Sequence, residues 1–318
     1  MFKLAYVFPG QGSQHVGMLS ELAERYSFIT DCFKQVSDEL GYDLWQLVQQ
    51  GPESQLNQTE YTQVAMLTAD VAVFTLLQKQ GVARAHMMAG HSLGEYAALV
   101  CANAISLADA AQLVAKRGQL MQSTVPLGQG AMAAIVGLTD EQVQSVCAQA
   151  STSESQVTPA NYNALGQVVI AGHSSAVERA VRLAEEMEAR LAKIIPVSVP
   201  CHCPLLVEAA AAFEEYLAKA NFTTPEGAVI SNVDLSIYRS VDQIRSLLKE
   251  QLYRPVRWVE TIQLMKKNDI DHVVECGPGK VLSGLIKRIE RGLLTMSVND
   301  NASLEQALDQ FNIKETSY

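Results

Sequence analysis

The sequence predicts an α/β protein in which a parallel sheet flanked by helices is interrupted by a smaller β-α-β-β-α-β unit. Three observations predict it. Short apolar runs suited to buried strands alternate with long amphipathic or apolar helical segments, the pattern of a parallel sheet covered on its faces. Between Gly128 and Val199 the rhythm changes, and two strand-like runs follow one another through a short turn. At residues 89–100 the stretch AGHSLGEYAALV sets G-x-S-x-G after a strand and before a helix, the arrangement that turns a chain sharply and exposes a serine.

In chain order, the first run is Leu4–Phe8, and it leads into FPGQGSQ at residues 8–14. Pro9, Gly10 and Gly12 make a turn there whose backbone N–H groups can approach something closely. A dinucleotide is excluded, because His15 stands where G-x-G-x-x-G needs its third glycine and no second strand ending in an acid follows. No phosphate-binding G-x-x-x-x-G-K-[S/T] occurs either. Tyr61–Leu77 is the longest apolar stretch, but it carries Gln63, Thr68, Asp70 and Thr75, so it reads as a buried core helix and not as a bilayer span. His86–Ala89, Val229–Ser231, His272–Glu275 and Leu294–Ser297 supply the remaining parallel strands.

Within the interruption, Ala131–Val136, Val157–Tyr162, Gln167–Ala171 and Leu191–Val199 are strand-like, and Thr139–Ala148 and Ser174–Ala189 are helical. Thr139 and Gln142 have the spacing of a capping box. Asn163-Ala164-Leu165-Gly166 joins the middle strands as a hairpin. This order is the split βαβ, or ferredoxin-like, arrangement. The expected organisation is therefore one large α/β-hydrolase-like domain made of 1–127 and 200–318, interrupted by a small ferredoxin-like subdomain at 128–199.

The chain has 318 residues, 48% of them hydrophobic, and a net charge of −10. It is long enough to bury a large core. Its charge speaks against non-specific binding of nucleic acid. Six cysteines lack the spacing of a disulfide framework, and Cys201-His202-Cys203 lacks the second ligand pair of structural zinc. No metal, cofactor or membrane partner is expected, and with no secretory signal the expected compartment is the cytoplasm.

In the elbow, Gly90 and Gly94 leave room for a tight turn that pushes Ser92 into the open; the bland alternative is a helix cap. A serine hydroxyl needs a base within hydrogen-bond reach. His91 adjoins it, but neighbouring side chains at a sharp turn point apart, so His91 supports the elbow. His15, His86 and His173 have no distinctive setting, and His272 lies in an apolar strand like a core histidine. His202 differs, since VPCHCP places it in a proline-bounded loop where the interruption rejoins the large domain. No Asp or Glu between Ser92 and His202 sits at a strand end, unlike the Ser…Asp/Glu…His order of hydrolases. A backbone carbonyl can orient an imidazole instead. Two antiparallel helices turning near Asn103–Ile105, the second capped by Ser106 and Asp109, would return Arg117 to the level of the elbow. Spacing leaves two readings open for Arg117: a cation beside the nucleophile, or a surface arginine beside Lys116.

Seven stretches, FPGQGSQ, GHSLGEYAAL, AKRGQLM with Arg117, NYNALGQVVIAG, VSVPCHCPL, QLYRPVRW and VECGPGKVL, resemble in order and spacing the malonyl-CoA:acyl carrier protein transacylases, over nearly the whole chain. The resemblance implies that Ser92 is the nucleophile, that His202 is its base and that the backbone carbonyl of Gln251 orients His202. It also implies that Gln11 and Leu93 offer N–H groups to an oxyanion and that Arg117 holds the malonyl carboxylate. His91 and Asn163 join Arg117 as substrate-binding candidates. Cys201 stands where that family often has serine, and Leu206 where methionine is common. The implied partners are malonyl-CoA and a separate acyl carrier protein, since the chain has no Asp-Ser-Leu carrier motif. The implied role is fatty acid biosynthesis. Lys280, Lys287, Arg288 and Arg291 are expected to form one basic helical stripe, a dock for an acidic carrier or else a solvated face. A serine hydrolase or thioesterase, and a non-catalytic acyl-carrier docking protein, are the alternative functions.

Overall fold

The structure is a computed structural model that describes residues 2–197 and 199–311. Among the described residues, nine strands form two separate sheets. The first contains β1 (Leu4–Phe8), β2 (Met87–Gly90), β7 (Ala228–Val229), β8 (His272–Cys276) and β9 (Leu294–Val298), the second β3 (Gly130–Val136), β4 (Val157–Ala164), β5 (Gln167–His173) and β6 (Leu191–Ile195).

The first sheet is parallel throughout, in the order β7-β2-β1-β8-β9. Its central strand reads LAYVF and is buried along its whole length, as a parallel strand covered on both faces must be. Leu4, Tyr6 and Phe8 enter the core on one face, Ala5 and Val7 the core on the other. The helix Thr59–Lys79 is buried on every side, with Gln63 and Asp70 inside it, as its apolar sequence predicts. Among the described residues no helix is long and apolar enough to cross a membrane.

The second sheet is antiparallel, in the order β4-β5-β3-β6, and its chain order is β-α-β-β-α-β. Ala133, Ile135, Val168 and Ile170 pack under the helices Asp140–Ala150 and Ser174–Glu186. Met132, Ala160, Val169 and Ala171 pack instead around Cys203, next to His202. The capping box of Thr139 and Gln142 is formed. The outer edge of β4 is stitched to the chain beyond Gln251, where the Tyr162 N–H donates to the Val256 carbonyl and the Val256 N–H to that of Ala160, both at 2.9 Å.

Several boundaries differ from expectation. β6 stops at Ile195 because Pro196 has no N–H for the ladder; of the rest of the expected run, Ser198 lies outside the described residues. β4 runs on to Ala164, and the hairpin closes on Leu165-Gly166, with Gly166 at φ 68°, a left-handed backbone that glycine adopts without steric cost. β7 covers only Ala228–Val229, because the chain folds back and the Ser231 N–H donates to the Ser236 carbonyl. The helix Ser174–Glu186 ends before Ala189, with Glu188 left-handed at φ 59°.

Candidate active site

Parallel pairing of Phe8 with Gly90 brings the loops after β1 and β2 to one level at the carboxyl end of the sheet, where open α/β sheets bind ligands. The two loops touch. A Cβ on Gly10 would stand 2.6 Å from the His91 carbonyl oxygen, and one on Gly94 would overlap the Phe8 carbonyl. A Cβ on Gly90 would overlap the backbone of Gly94. Those contacts explain why G-x-S-x-G needs its glycines here. Between them Ser92 is left-handed at φ 53°, a strained conformation for a residue with a side chain. Asn232 clamps it: Oδ1 accepts from the Ser92 N–H at 2.8 Å, and Nδ2 donates to the Gly90 carbonyl at 2.7 Å.

His202 also has a left-handed backbone, at φ 59°, and is buried. Its Nε2 lies 2.7 Å from Ser92 Oγ and its Nδ1 2.7 Å from the Gln251 carbonyl oxygen. A carbonyl only accepts, so Nδ1 carries the proton and Nε2 the lone pair that receives the serine hydroxyl. Burial, reinforced by the charge of Arg117, pushes the His202 pKa down to about 3. The ring is therefore neutral at physiological pH.

Arg117 is fully buried, so the surface reading does not hold. The helix Gly94–Cys101 is shorter than the dozen residues expected, but the turn at Asn103 and the Ser106 cap, which accepts from the Asp109 N–H at 3.0 Å, set the return helix Leu107–Thr124 as predicted. Arg117 Nη1 donates to Gln63 Oε1 at 2.8 Å and Nη2 to Gln251 Oε1 at 3.0 Å, and its guanidinium lies 5.6 Å from the Tyr96 ring centre. Its Nε has no partner among the described residues. Gly118 packs against the backbone of Glu60, which lets the two helices approach closely. Lys116 turns outward over the Tyr216 ring.

Gln251 joins these parts. Its carbonyl holds His202, its Oε1 receives Arg117, and its Nε2 donates to the Ser92 carbonyl at 2.9 Å and to Glu95 Oε2 at 2.5 Å. Glu95 also accepts from Tyr238 OH at 2.6 Å. The N–H groups of Gln11 and Leu93 have no partner among the described residues; the Gln11 side chain is held away by Thr59 at 2.9 Å. His91 and Asn163 meet each other, Nε2 to Oδ1 at 2.7 Å, and tie the elbow to β4. His272 is at the opposite end of the sheet, against Asp271.

The basic stripe needs correction. The helix is Val281–Ile289, with Lys280 at its N-cap and Lys287 and Arg288 in its last turn. Glu290 is extended, at φ −142°, so Arg291 leaves the helix and the four cations do not share one helical face. Arg288 reaches back to Gln167 at 2.6 Å.

Glu95, Asn232, Tyr238 and Gln63 were not singled out by sequence as site residues. Gln63 and Glu95 carried a signal, each a polar residue inside an apolar helical run. Asn232 and Tyr238 carried none, since only the fold brings them to the elbow.

Residues 5–302 match the acyl transferase domain family. The malonyl CoA-acyl carrier protein transacylase of Escherichia coli (strain K12) is 48% identical over 309 residues, which span 97% of this chain and 100% of that protein. The solved structure of the malonyl CoA-acyl carrier protein transacylase from Coxiella burnetii matches with a TM-score of 0.96 at 47% identity, over 98% of each chain. A malonyl-transacylase solved in complex with a holo type II PKS acyl-carrier protein matches with a TM-score of 0.95 at 47% identity, over 97% of this chain and 99% of that one. Likeness of this extent, in sequence and in fold, means that the chain belongs to the malonyl CoA-acyl carrier protein transacylase family.

Proposed function

We infer that this protein moves malonyl groups from malonyl-CoA to the phosphopantetheine thiol of an acyl carrier protein, supplying fatty acid biosynthesis, through an ester on Ser92. The observation that carries the mechanism is the convergence on Gln251, whose carbonyl orients His202 while its side-chain amide holds Arg117. Base, nucleophile and a cation for the substrate carboxylate are thereby fixed by one residue.

In this reading the Ser92 hydroxyl gives its proton to His202 Nε2 and attacks the thioester carbonyl. The N–H groups of Gln11 and Leu93 stabilise the tetrahedral oxyanion. His202 returns the proton to the leaving thiol, and the carrier thiol reverses the sequence in a ping-pong cycle. Arg117 exchanges a neutral amide partner for the malonyl carboxylate, a bidentate charge-assisted contact. His91 and Asn163 form the wall beside the acyl group. Lys280, Lys287 and Arg288, with Arg291 from the following turn, are the proposed carrier dock.

The strand order and chain order of the second sheet support a ferredoxin-like subdomain at 128–199, set into an α/β-hydrolase-like domain of 1–127 and 200–318. The six cysteines as free thiols support a cytoplasmic location. The test is to incubate the protein with labelled malonyl-CoA, with and without carrier protein, and to follow the label. Label should reach Ser92 first and the carrier second. Release of free malonate at a rate matching transfer would make the protein a hydrolase, and an unlabelled protein would make it a docking module.

A further inference from the structure

Among the described residues, Glu95 is the one carboxylate in the hydrogen-bonded network that joins Ser92, His202 and Arg117, and the acyl-transfer chemistry above makes no use of it. It is fully buried. Its oxygens face donors: Tyr238 OH at 2.6 Å, the Asn232 N–H at 3.3 Å and Gln251 Nε2 at 2.5 Å. Such a ring of donors suits an ionised carboxylate. The Gln251 amide stands between Glu95 and the guanidinium of Arg117, accepting from one and donating to the other. The two buried charges are thus linked by a single amide.

The other titratable groups near it do not supply a negative charge. Burial pushes up the phenols of Tyr238, from the loop after β7, and of Tyr96, on the same helix as Glu95, and the thiol of Cys201, next to His202, so all three are neutral. His202, on the loop before Pro204, is neutral as well. An isolated buried guanidinium is costly without a partner charge, and Glu95 is the carboxylate this network provides.

Resting on the acyl-transfer reading, we propose that Glu95 is the resident counter-charge of Arg117, ionised while the site holds no substrate carboxylate and protonated from solvent when the malonyl carboxylate takes its place. The balance requires it. Arg117 with Glu95 is neutral, and a malonyl carboxylate added to that pair leaves one buried negative charge in excess. Glu95 then accepts one proton from the buffer, and no bond to carbon changes in that step. Burial raises the group, while its donors and Arg117 pull it back, leaving it at about 7. Its ionisation is therefore poised where substrate binding can tip it.

The test is proton uptake during single-turnover loading by malonyl-CoA, read with a pH indicator in weak buffer, with the ester on Ser92 quantified by mass spectrometry. At about pH 7.5 a group titrating near 7 is roughly three-quarters ionised, so loading should take up as much as about three-quarters of a proton per ester. At about pH 6 the group is already mostly protonated, and uptake should fall below roughly a tenth of a proton. Glu95→Gln keeps the shape and should load malonyl with no uptake, and its kcat/KM should lose the decline of up to about tenfold per pH unit expected above neutrality in the parent. Ester formation without proton uptake in the parent protein, or unchanged uptake in Glu95→Gln, overturns the proposal. If Glu95→Gln does not fold, the contrast between the two pH values in the parent decides. If no ester forms on Ser92, the acyl-transfer reading falls and the counter-charge falls with it, whereas an ester formed without uptake removes the counter-charge alone.

Discussion

The two sheets differ in what they bury. Around the parallel sheet lie Asp70, Glu95, Arg117, His202, Asn232, Gln251 and Glu275, all polar or ionisable and all buried. Among the described residues between 128 and 199, the only buried polar side chain is Asn161. Burying such groups costs free energy unless each is held by partners, and the hydrogen bonds around Gln251 supply partners for most of them. The small sheet is built by ordinary rules: an apolar face under two helices, a capping box and a left-handed glycine in its hairpin. Left-handed non-glycine residues occur in both regions, but Glu188 of the small unit is exposed at a helix end, whereas Ser92 and His202 are held in that conformation by hydrogen-bonded neighbours. Strain and buried polarity thus coincide in the region proposed to carry the chemistry.

Ser92→Ala should have the largest effect, removing the acyl-enzyme altogether from the mass spectrum of protein quenched after malonyl-CoA addition. A malonyl ester on another residue would break the comparison, because it would separate the strained elbow from the chemistry. His202→Ala should slow acylation by about 10²- to 10⁴-fold, the usual loss with a general base. Because burial holds the His202 pKa at about 3, the neutral base is present above that value and fails only as pH falls towards it. The acid limb of kcat/KM should therefore show no inflection near 6.5, the ordinary histidine value.

Arg117→Ala should reduce malonyl transfer by on the order of 10²-fold, as when one member of a desolvated charge pair is lost, while acetyl transfer is unchanged or faster. Equal loss for both thioesters would make Arg117 a part of the scaffold. The smallest effect belongs to the surface, where Lys287→Glu with Arg288→Glu should raise KM for the carrier several-fold at low salt and little at high salt. Equal KM at low salt would remove the dock and leave all recognition to the buried region.

The sequence showed both sheets and the order of their strands' chain segments because the apolar runs are short, regular and bounded by glycine or proline. It missed where β6 and β7 stop, since Pro196 and the turn at Ser231–Ser236 act through hydrogen bonds that periodicity does not register. In the site, Ser92 was legible from its glycines and His202 from its prolines. Arg117 was left open because a count of residues along two helices gives height but not burial. Gln251 entered only through resemblance, and Asn232 not at all, for each acts through contacts with chain more than a hundred residues away. The four basic residues near the C-terminus read as one stripe because spacing alone assumes that the helix continues, and Glu290 ends it.

The distance along the chain between Ser92 and Gln251 has a consequence for synthesis. The amide of Gln251 that braces the elbow lies 159 residues after Ser92, and β8, which flanks β1, comes later still. At the usual elongation rate of roughly 5–20 residues per second, the serine precedes its brace by on the order of ten to thirty seconds. Labelling ribosome-arrested chains with a serine-directed probe should give no signal for arrests before Gln251 has emerged. On the acyl-transfer reading the nascent polypeptide carries an ordinary alcohol until then, and reactivity begins only after the segment around Gln251 has left the ribosome.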